Sequence, residues 1–387
     1  MDNQTKELEI LNALLDFKLL QIPENTRFWM IRTQKGYFYD EFITHKFVAL
    51  AWNNIDQATD FSIQSRDYLK DYIKAEFHEI SRPSTVINKC YNFIHEIHKG
   101  DILAIPSKGS KYITFASAGE YFEDLSKTVA LEKTIISKID KGNIDAANVS
   151  CPYKKRRKIK LMRTVKSDDI NTTLYKAISN YHGISNLDAY AYQILNELYN
   201  CYSYKDYAVL VYNIRKTKPI KPRELSQLIY GNTECLCSII PEENISTQME
   251  LHSPGDAIYM LQKAFEIAKD NWEIIFGLLV FFGGGSALTF KVPGITEIAK
   301  NILSFKEDYR AKKLDNDSKE LEVKLKRLEF QQKLKESGIK PESLLEPLES
   351  VIKSSNSLMT EPIILCDESH ATSSDNESEE SNDTKDE

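Results

Sequence analysis

RFWMIRTQKGYFYDEFITHKFVALAW, residues 27–52, is the stretch whose reading decides the fold. TRFWMIR (26–32) and KFVALAW (46–52) are rich in β-branched and aromatic side chains, the composition of strands. Gly36 supplies a turn between them, and YFYDEFITH fits a short helix.

Upstream, Leu8, Ile10, Leu11, Leu14, Leu15 and Phe17 recur at helical spacing, so residues 1–24 read as a leading helix that Pro23 ends. Downstream, amphipathic helices are expected over 66–79 and 86–98, divided by Arg82-Pro83. GDILAIPSKGSKYITFASAGEYF (100–122) reads as a hairpin turning at Pro106, Gly109 and Ser110. A polar connection leads to the basic strand KKRRKIKLMRTV (154–165), and Ser167-Asp168-Asp169 caps a helix ending near Tyr181.

Residues 188–252 change pattern. A helix (188–199), the strand YAVLVYNIR (207–215), a Pro-initiated helix (222–230) and the strand TQMEL (247–251) make a small α/β unit. In 253–302 a helix over 255–269 precedes EIIFGLLVFFGGGSALTF (273–290), the most apolar part of the chain. Ile274 to Phe290 gives 17 residues without a formal charge, short of the ~20 that usually span a bilayer. A buried helix entering a glycine turn and a strand ALTFKV is the favoured reading, with membrane contact through 274–290 as its competitor. Residues 303–340 read as a charged helix, on which Leu321, Leu325 and Leu328 offer a short coiled-coil seam for self-association. Residues 341–387 read as a disordered acidic tail, because DESHATSSDNESEESNDTKDE buries too little apolar surface to offset ordering.

The net charge of −7 over 387 residues is therefore concentrated at one end, and the body is nearer neutral with basic strips. Six scattered cysteines follow no disulfide spacing and MDNQTKELEILNALLDFKLL is a charged amphipathic helix, so a reduced cytoplasmic setting is the expectation.

Two strands joined through a helix, two further helices, then GDILAIPS and a hairpin suggest a small closed β-barrel. The order resembles the PUA-like, EVE-type N-terminal domain of Mrr-like restriction proteins and related bacterial defence proteins. The resemblance rests on Phe28-Trp29-Met30-Ile31-Arg32, Tyr39-Asp40-Glu41-Phe42, Val48-Ala49-Leu50-Ala51-Trp52 and Gly100 to Ser107, continuing in Lys158 to Thr164 and Tyr181 to Ser185. It covers about residues 25–187. Family members often carry a Trp in the last strand where this chain has Leu161. The fold class expected is α+β: a PUA-like barrel with helices, a small α/β unit, then a C-terminal helical region and the tail.

The resemblance implies nucleic-acid reading, with a flipped or modified base held in an aromatic pocket. A base taken from its stack needs flat π surfaces and polar groups for its edge. Trp29, Trp52, Tyr37, Phe38 and Tyr39 are the candidate surfaces, each weighed against a plain core role. Arg32, Asn53 and Ser107 are candidate hydrogen-bonding groups, and Arg32 equally fits a carboxylate pair. Phosphates would meet Lys35, Lys108, Lys111 and the strip Lys154, Lys155, Arg156, Arg157, Lys158, unless that strip is merely a solvated face.

Other constellations carry less. His95 and His98 lie one turn apart without further ligands at a known spacing, and Cys235-x-Cys237 on an expected strand lacks a second pair. YAVLVYNIRK has no carboxylate for a nuclease metal, and GGGS (283–286) lacks the Lys-Ser/Thr of a phosphate-binding loop. No catalytic residue and no cofactor is expected. Two readings stand. One is a non-enzymatic DNA- or RNA-binding sensor of an anti-phage or restriction-like system, open to homo-oligomerisation, with cutting left to a partner nuclease. The other is a membrane-associated effector whose barrel senses a ligand.

Overall fold

The computed structural model describes residues 3–77, 80–142, 149–179, 183–249, 255–262, 269–289, 292–304 and 318–366. Helix α1 (Asn3–Leu15) precedes strand β1 (Phe28–Ile31), a tight helical turn at Thr33–Gly36, α2 (Tyr39–His45) and β2 (Phe47–Leu50). Then come α3 (Arg66–Glu76), α4 (Pro83–Tyr91) with a wider turn at Asn92–Glu96, β3 (Ile102–Pro106), β4 (Tyr112–Glu123), α5 (Val129–Asp140), β5 (Lys155–Lys166), α6 (Thr172–Ser179) and β6 (Ile184–Asn186). The second half holds α7 (Ala191–Leu198), β7 (Cys201–Tyr204), β8 (Tyr207–Ile214), α8 (Pro222–Cys237), β9 (Ile245–Met249), β10 (Gly255–Gln262), α9 (Lys269–Phe282), α10 (Ile295–Leu303), α11 (Ser318–Glu336), α12 (Leu345–Leu358) and β11 (Thr360–Glu361).

The class is α+β, as the pattern implied. The first six strands form one sheet in the order β2-β5-β4-β3-β1-β6, with β1 and β3 parallel and every other neighbour antiparallel. It curls into a half-barrel rather than the closed barrel expected. Its edges are the four residues of β2 and the three of β6, which do not pair with each other among the described residues. The curl comes from the long pair β4–β5, whose register slips at Phe115/Ala116 and again between Ala118 and Tyr121, since bulges increase local twist. Trp29, Ile31, Leu103 and Ile105 face one core with α2 to α5, while Phe28, Met30, Ile102 and Phe115 face a second.

That second core is shared. Ile194, Leu195 and Leu198 of α7 and Val209, Val211 and Ile258 of the other sheet pack into it, so residue 187 is a seam within packed structure. In the other sheet β8 is flanked by β7 and β11 on one side and by β10 then β9 on the other, all antiparallel.

Several expectations need correcting. Residues 255–262 are a strand, not a helix: both faces of GDAIYMLQ are largely buried, and such a continuous apolar run does not show period 2. Cys235 and Cys237 sit on α8, not a strand. The apolar helix α9 is buried against α1, α11 and α12, and no helix among the described residues is long and apolar enough to cross a membrane. Its glycines mark close approach: a Cβ on Gly283 would lie 2.3 Å from the Tyr212 ring, and Gly284 sits at φ +82. Residues 287–289 then form a turn in place of the expected strand. The leading helix belongs to this half, with Ile10, Leu11 and Leu14 in its core. On α11, Val323, Phe330 and Leu334 pack inward, whereas Leu321 and Leu325 are exposed. Residues 345–358, expected within the tail, form α12, because Leu348, Val351, Ile352 and Leu358 make an apolar stripe against α8. Residues 367–387 and the 305–317 part of the expected 303–340 helix lie outside the described residues.

Candidate functional site

Strand β2 ends one residue before Ala51-Trp52, and Trp52 takes the left-handed conformation at φ +68. A bulky residue holds that backbone only where its surroundings over-determine it, and here buried charges do so. Glu132 of α5 accepts the Trp52 and Asn53 N–H groups, each at 2.7 Å. Lys155 donates to the Trp52 and Ile55 carbonyls, each at 2.6 Å. Both side chains are buried. Burial pushes the Glu132 carboxyl up against the downward pull of the two amides, and burial lowers the Lys155 ammonium. Asn53 completes the frame by donating to the Pro152 carbonyl at 2.8 Å and accepting the Lys154 N–H at 2.7 Å.

The framed indole walls a cleft of about 980 Å³ between the Trp52 loop, the end of α3 and α5. Ala51, Phe77, Ile80, Ile136 and Tyr153 supply the rest of its apolar lining. Around them stand Gln34, Glu76, Lys133, Ser137, Asp140 and Lys141. Glu76 and Lys133 pair at 2.5 Å, and Gln34 donates to Asp140 at 3.1 Å. Lys89 places its ammonium 5.9 Å from the Trp52 ring centre, and burial lowers its pKa. The cleft thus offers flat apolar walls, and the charged groups around it nearly balance. That chemistry suits an uncharged planar group better than a polyanion.

The other anticipated aromatic residues do not line this cleft. Trp29 is 1 % exposed, donates its indole N–H to Asp101 at 3.2 Å and lies under the Arg27 guanidinium. Phe38 is 2 % exposed and meets the Tyr153 ring edge to face at 5.5 Å. As pocket walls these two are corrected: strand β1 lies inside the sheet, and the turn after it packs inward. Tyr39 bonds Thr114 through its hydroxyl at 2.6 Å, and burial raises its pKa. Tyr37 is half-buried beside the Lys108 ammonium at 5.4 Å. Arg32 donates to the Ser179 carbonyl at 3.4 Å, and Ser107 accepts the Tyr112 N–H at 3.0 Å. Asn53 supports the cleft through its frame. Tyr153, Phe77 and Gln34 went unanticipated: Cys-Pro-Tyr has no spacing signal, and Phe77 closes an ordinary amphipathic helix.

The basic strip divides. β5 lies between β2 and β4, and its first residues find partners in the strands and loops beside it. Lys154 pairs with Asp56 at 2.7 Å and Glu123 at 3.0 Å, and Lys155 is buried as described. Arg156 pairs with Asp124 at 3.2 Å and lies over Phe47, while Arg157 donates to the Gly119 and Phe93 carbonyls. Those four are structural and not a phosphate-binding face. Lys158 is exposed and lines a second groove of about 460 Å³ with Lys46, His45 and Phe47. Lys35, Lys108 and Lys111 are exposed on adjoining turns. Gly36 lets those turns touch: at φ +80, its Cβ would stand 2.7 Å from the Ser107 carbonyl carbon.

His95 packs on Phe61 and Tyr91, and no group of three or more metal-ligating side chains occurs among the described residues. The chain matches no protein-family model, no curated protein and no solved structure.

Proposed function

We propose that the chain is a non-enzymatic nucleic-acid-binding protein that takes a single, flipped or modified, base into the Trp52 cleft. The observation that supports this most is the indole itself: it faces a cleft of base-admitting size on a backbone fixed by Glu132 and Lys155. A preset aromatic wall spares the ordering cost of binding, and every base offers a π face to stack on it. Ser137 and Gln34 are positioned to meet polar edges, and of the anticipated cations Lys35, Lys108, Lys111 and Lys158 are exposed for phosphates. With the Mrr-like resemblance, this makes the chain the sensing component of an anti-phage or restriction-like system that leaves cutting to a partner.

The test is fluorescence anisotropy of the full chain against single- and double-stranded oligonucleotides, plain and base-modified. Binding is expected to fall on Trp52→Ala by about 5- to 150-fold, the value of one base–aromatic stack. Absence of binding to every oligonucleotide, or an unchanged affinity in Trp52→Ala, removes the reading.

A further inference from the structure

Residues 367–387 carry nine Asp and Glu side chains and one lysine, so within a net charge of −7 the preceding 366 residues sum to +1. The last described residue, Cys366, donates its N–H to the Met162 carbonyl at 2.7 Å, and Leu365 packs on the shared core. The acidic run therefore leaves the folded body beside β5. On that strand Lys158 and Lys160 are exposed at alternate positions, sharing a face. Lys158 lies four residues before Met162, ~13 Å at the rise of a strand.

The same lysine lines the 460 Å³ groove with Lys46, His45, Phe47 and Phe122. The groove's carboxylate, Glu41, is already taken by the Cys151 N–H at 2.6 Å and the Ser150 hydroxyl at 3.1 Å. Arg156, also in the lining, is paired with Asp124. Lys46 and Lys158 make no ion pair among the described residues.

We infer that the acidic segment 367–387 docks in cis on this groove, its carboxylates meeting Lys46, Lys158 and Lys160. Charge complementarity and the point of exit both favour that occupant. Twenty-one residues reach ~70 Å when extended, so chain length does not limit access. Tethering keeps the segment at roughly millimolar local concentration, which weak surface pairs need. The segment has almost no apolar side chains, so the contact is electrostatic and salt-labile.

The experiment is zero-length carbodiimide cross-linking of the full chain, with linked peptides identified by mass spectrometry. Links from the 367–387 carboxylates are expected to concentrate on Lys46, Lys158 and Lys160, and to drop about fivefold or more near 1 M salt, where the screening length is ~3 Å. Links that favour Lys35, Lys108 and Lys111, or that spread evenly over the exposed lysines of α11 and α12, overturn the inference. A full-chain variant with all nine carboxylates changed to amides gives a second reading. Lys46 and Lys158 are expected to acetylate several-fold faster in it, and an unchanged rate counts against docking. Neither readout uses nucleic acid, so failure here is separate from failure of the base-reading cleft.

Discussion

Glu132 and Lys155 act on the same residue from opposite ends: the carboxylate holds the Trp52 N–H at 2.7 Å, and the ammonium holds the Trp52 carbonyl at 2.6 Å. The left-handed backbone of Trp52 is thus clamped between two buried, opposite charges that act through it. Removing the carboxylate leaves the Trp52 and Asn53 N–H groups unpaired, which costs about 1–3 kcal/mol for each buried donor. Glu132→Ala is expected to lose that much stability in urea unfolding, and Glu132→Gln visibly less. A double-mutant cycle with Lys155→Met is expected to give a combined loss well short of the two single losses added. Additive losses would mean that the charges do not cooperate on Trp52.

The three tryptophans differ in access. Trp29 and Trp272 are buried in separate cores, while Trp52 lines the cleft. Acrylamide is therefore expected to quench chiefly Trp52, and Trp52→Phe to remove most of the quenchable emission. On the proposed reading, a nucleobase or nucleoside added to the protein is expected to protect that fraction. Equal quenching before and after the substitution would place the accessible indole elsewhere.

The strands of the first sheet were legible, though not that the sheet stays open, because they carry strong local signals: β1 and β2 are dense in aromatic and β-branched residues, and the GDILAIPS hairpin turns at Gly109. The failures share a cause. A strand buried on both faces, such as β10, loses its alternation, and α12 begins among prolines and serines that resemble a linker until Val351 and Ile352 find α8. KKRRK looks like a surface because sequence does not reveal that Asp56 of the loop after β2, and Glu123 and Asp124 at the end of β4, lie against the start of β5. Trp52 was legible as a candidate, but the cleft depends on Glu132 and Tyr153, 80 and 101 positions further along the chain.

Glu197 of α7 is placed to make the seam between the two halves sensitive to pH. It is 5 % exposed, with the Arg163 guanidinium 3.6 Å away and the Asn171 N–H at 3.4 Å. Burial first, and then the Asp256 charge, push its carboxyl up to about 8, against the pull of Arg163 and Arg215. Between the ordinary carboxyl value and 8 the folded state holds a proton that the unfolded chain has released. Stability therefore falls as pH rises through that window, by an amount on the order of a few kcal/mol. Urea midpoints measured from pH 5 to pH 8.5 are expected to decline in the native chain and to flatten in Glu197→Gln. A slope unchanged by the substitution would assign the effect to another group.

Helix α1 is first in the chain yet docks on α11, where Arg327 clasps Glu7 at 2.5 and 2.7 Å. The carboxylate is buried and the guanidinium partly so. Glu7→Ala is expected to cost about 2–3 kcal/mol, somewhat less than a fully buried pair. Hydrogen exchange locates the loss: protection should fall over 3–15 and 318–336 while β3 to β5 keep theirs. Uniform loss across both sheets would show that the shared core couples the halves into one unfolding unit.

The salt dependence of oligonucleotide binding separates the cations that face solvent from those that hold the fold. Each neutralised phosphate contributes a slope of about −0.7 to −0.9 in log K against log salt. If all eight anticipated cations met phosphates, the slope would approach −6 to −7. Four of them are committed internally: Lys154 to Asp56 and Glu123, Lys155 to Trp52 and Ile55, Arg156 to Asp124, and Arg157 to two carbonyls. Lys158 is claimed by the acidic segment, which leaves Lys35, Lys108 and Lys111 and a slope of about −2 to −3. Affinity is then expected to drop about 20- to 40-fold between 50 and 200 mM salt. Changing the three lysines to alanine should nearly abolish that dependence without moving the urea midpoint, because all three are exposed. Lys154→Ala should do the reverse, lowering the midpoint while the salt slope holds. A steep slope that survives the triple substitution would return the phosphate path to β5.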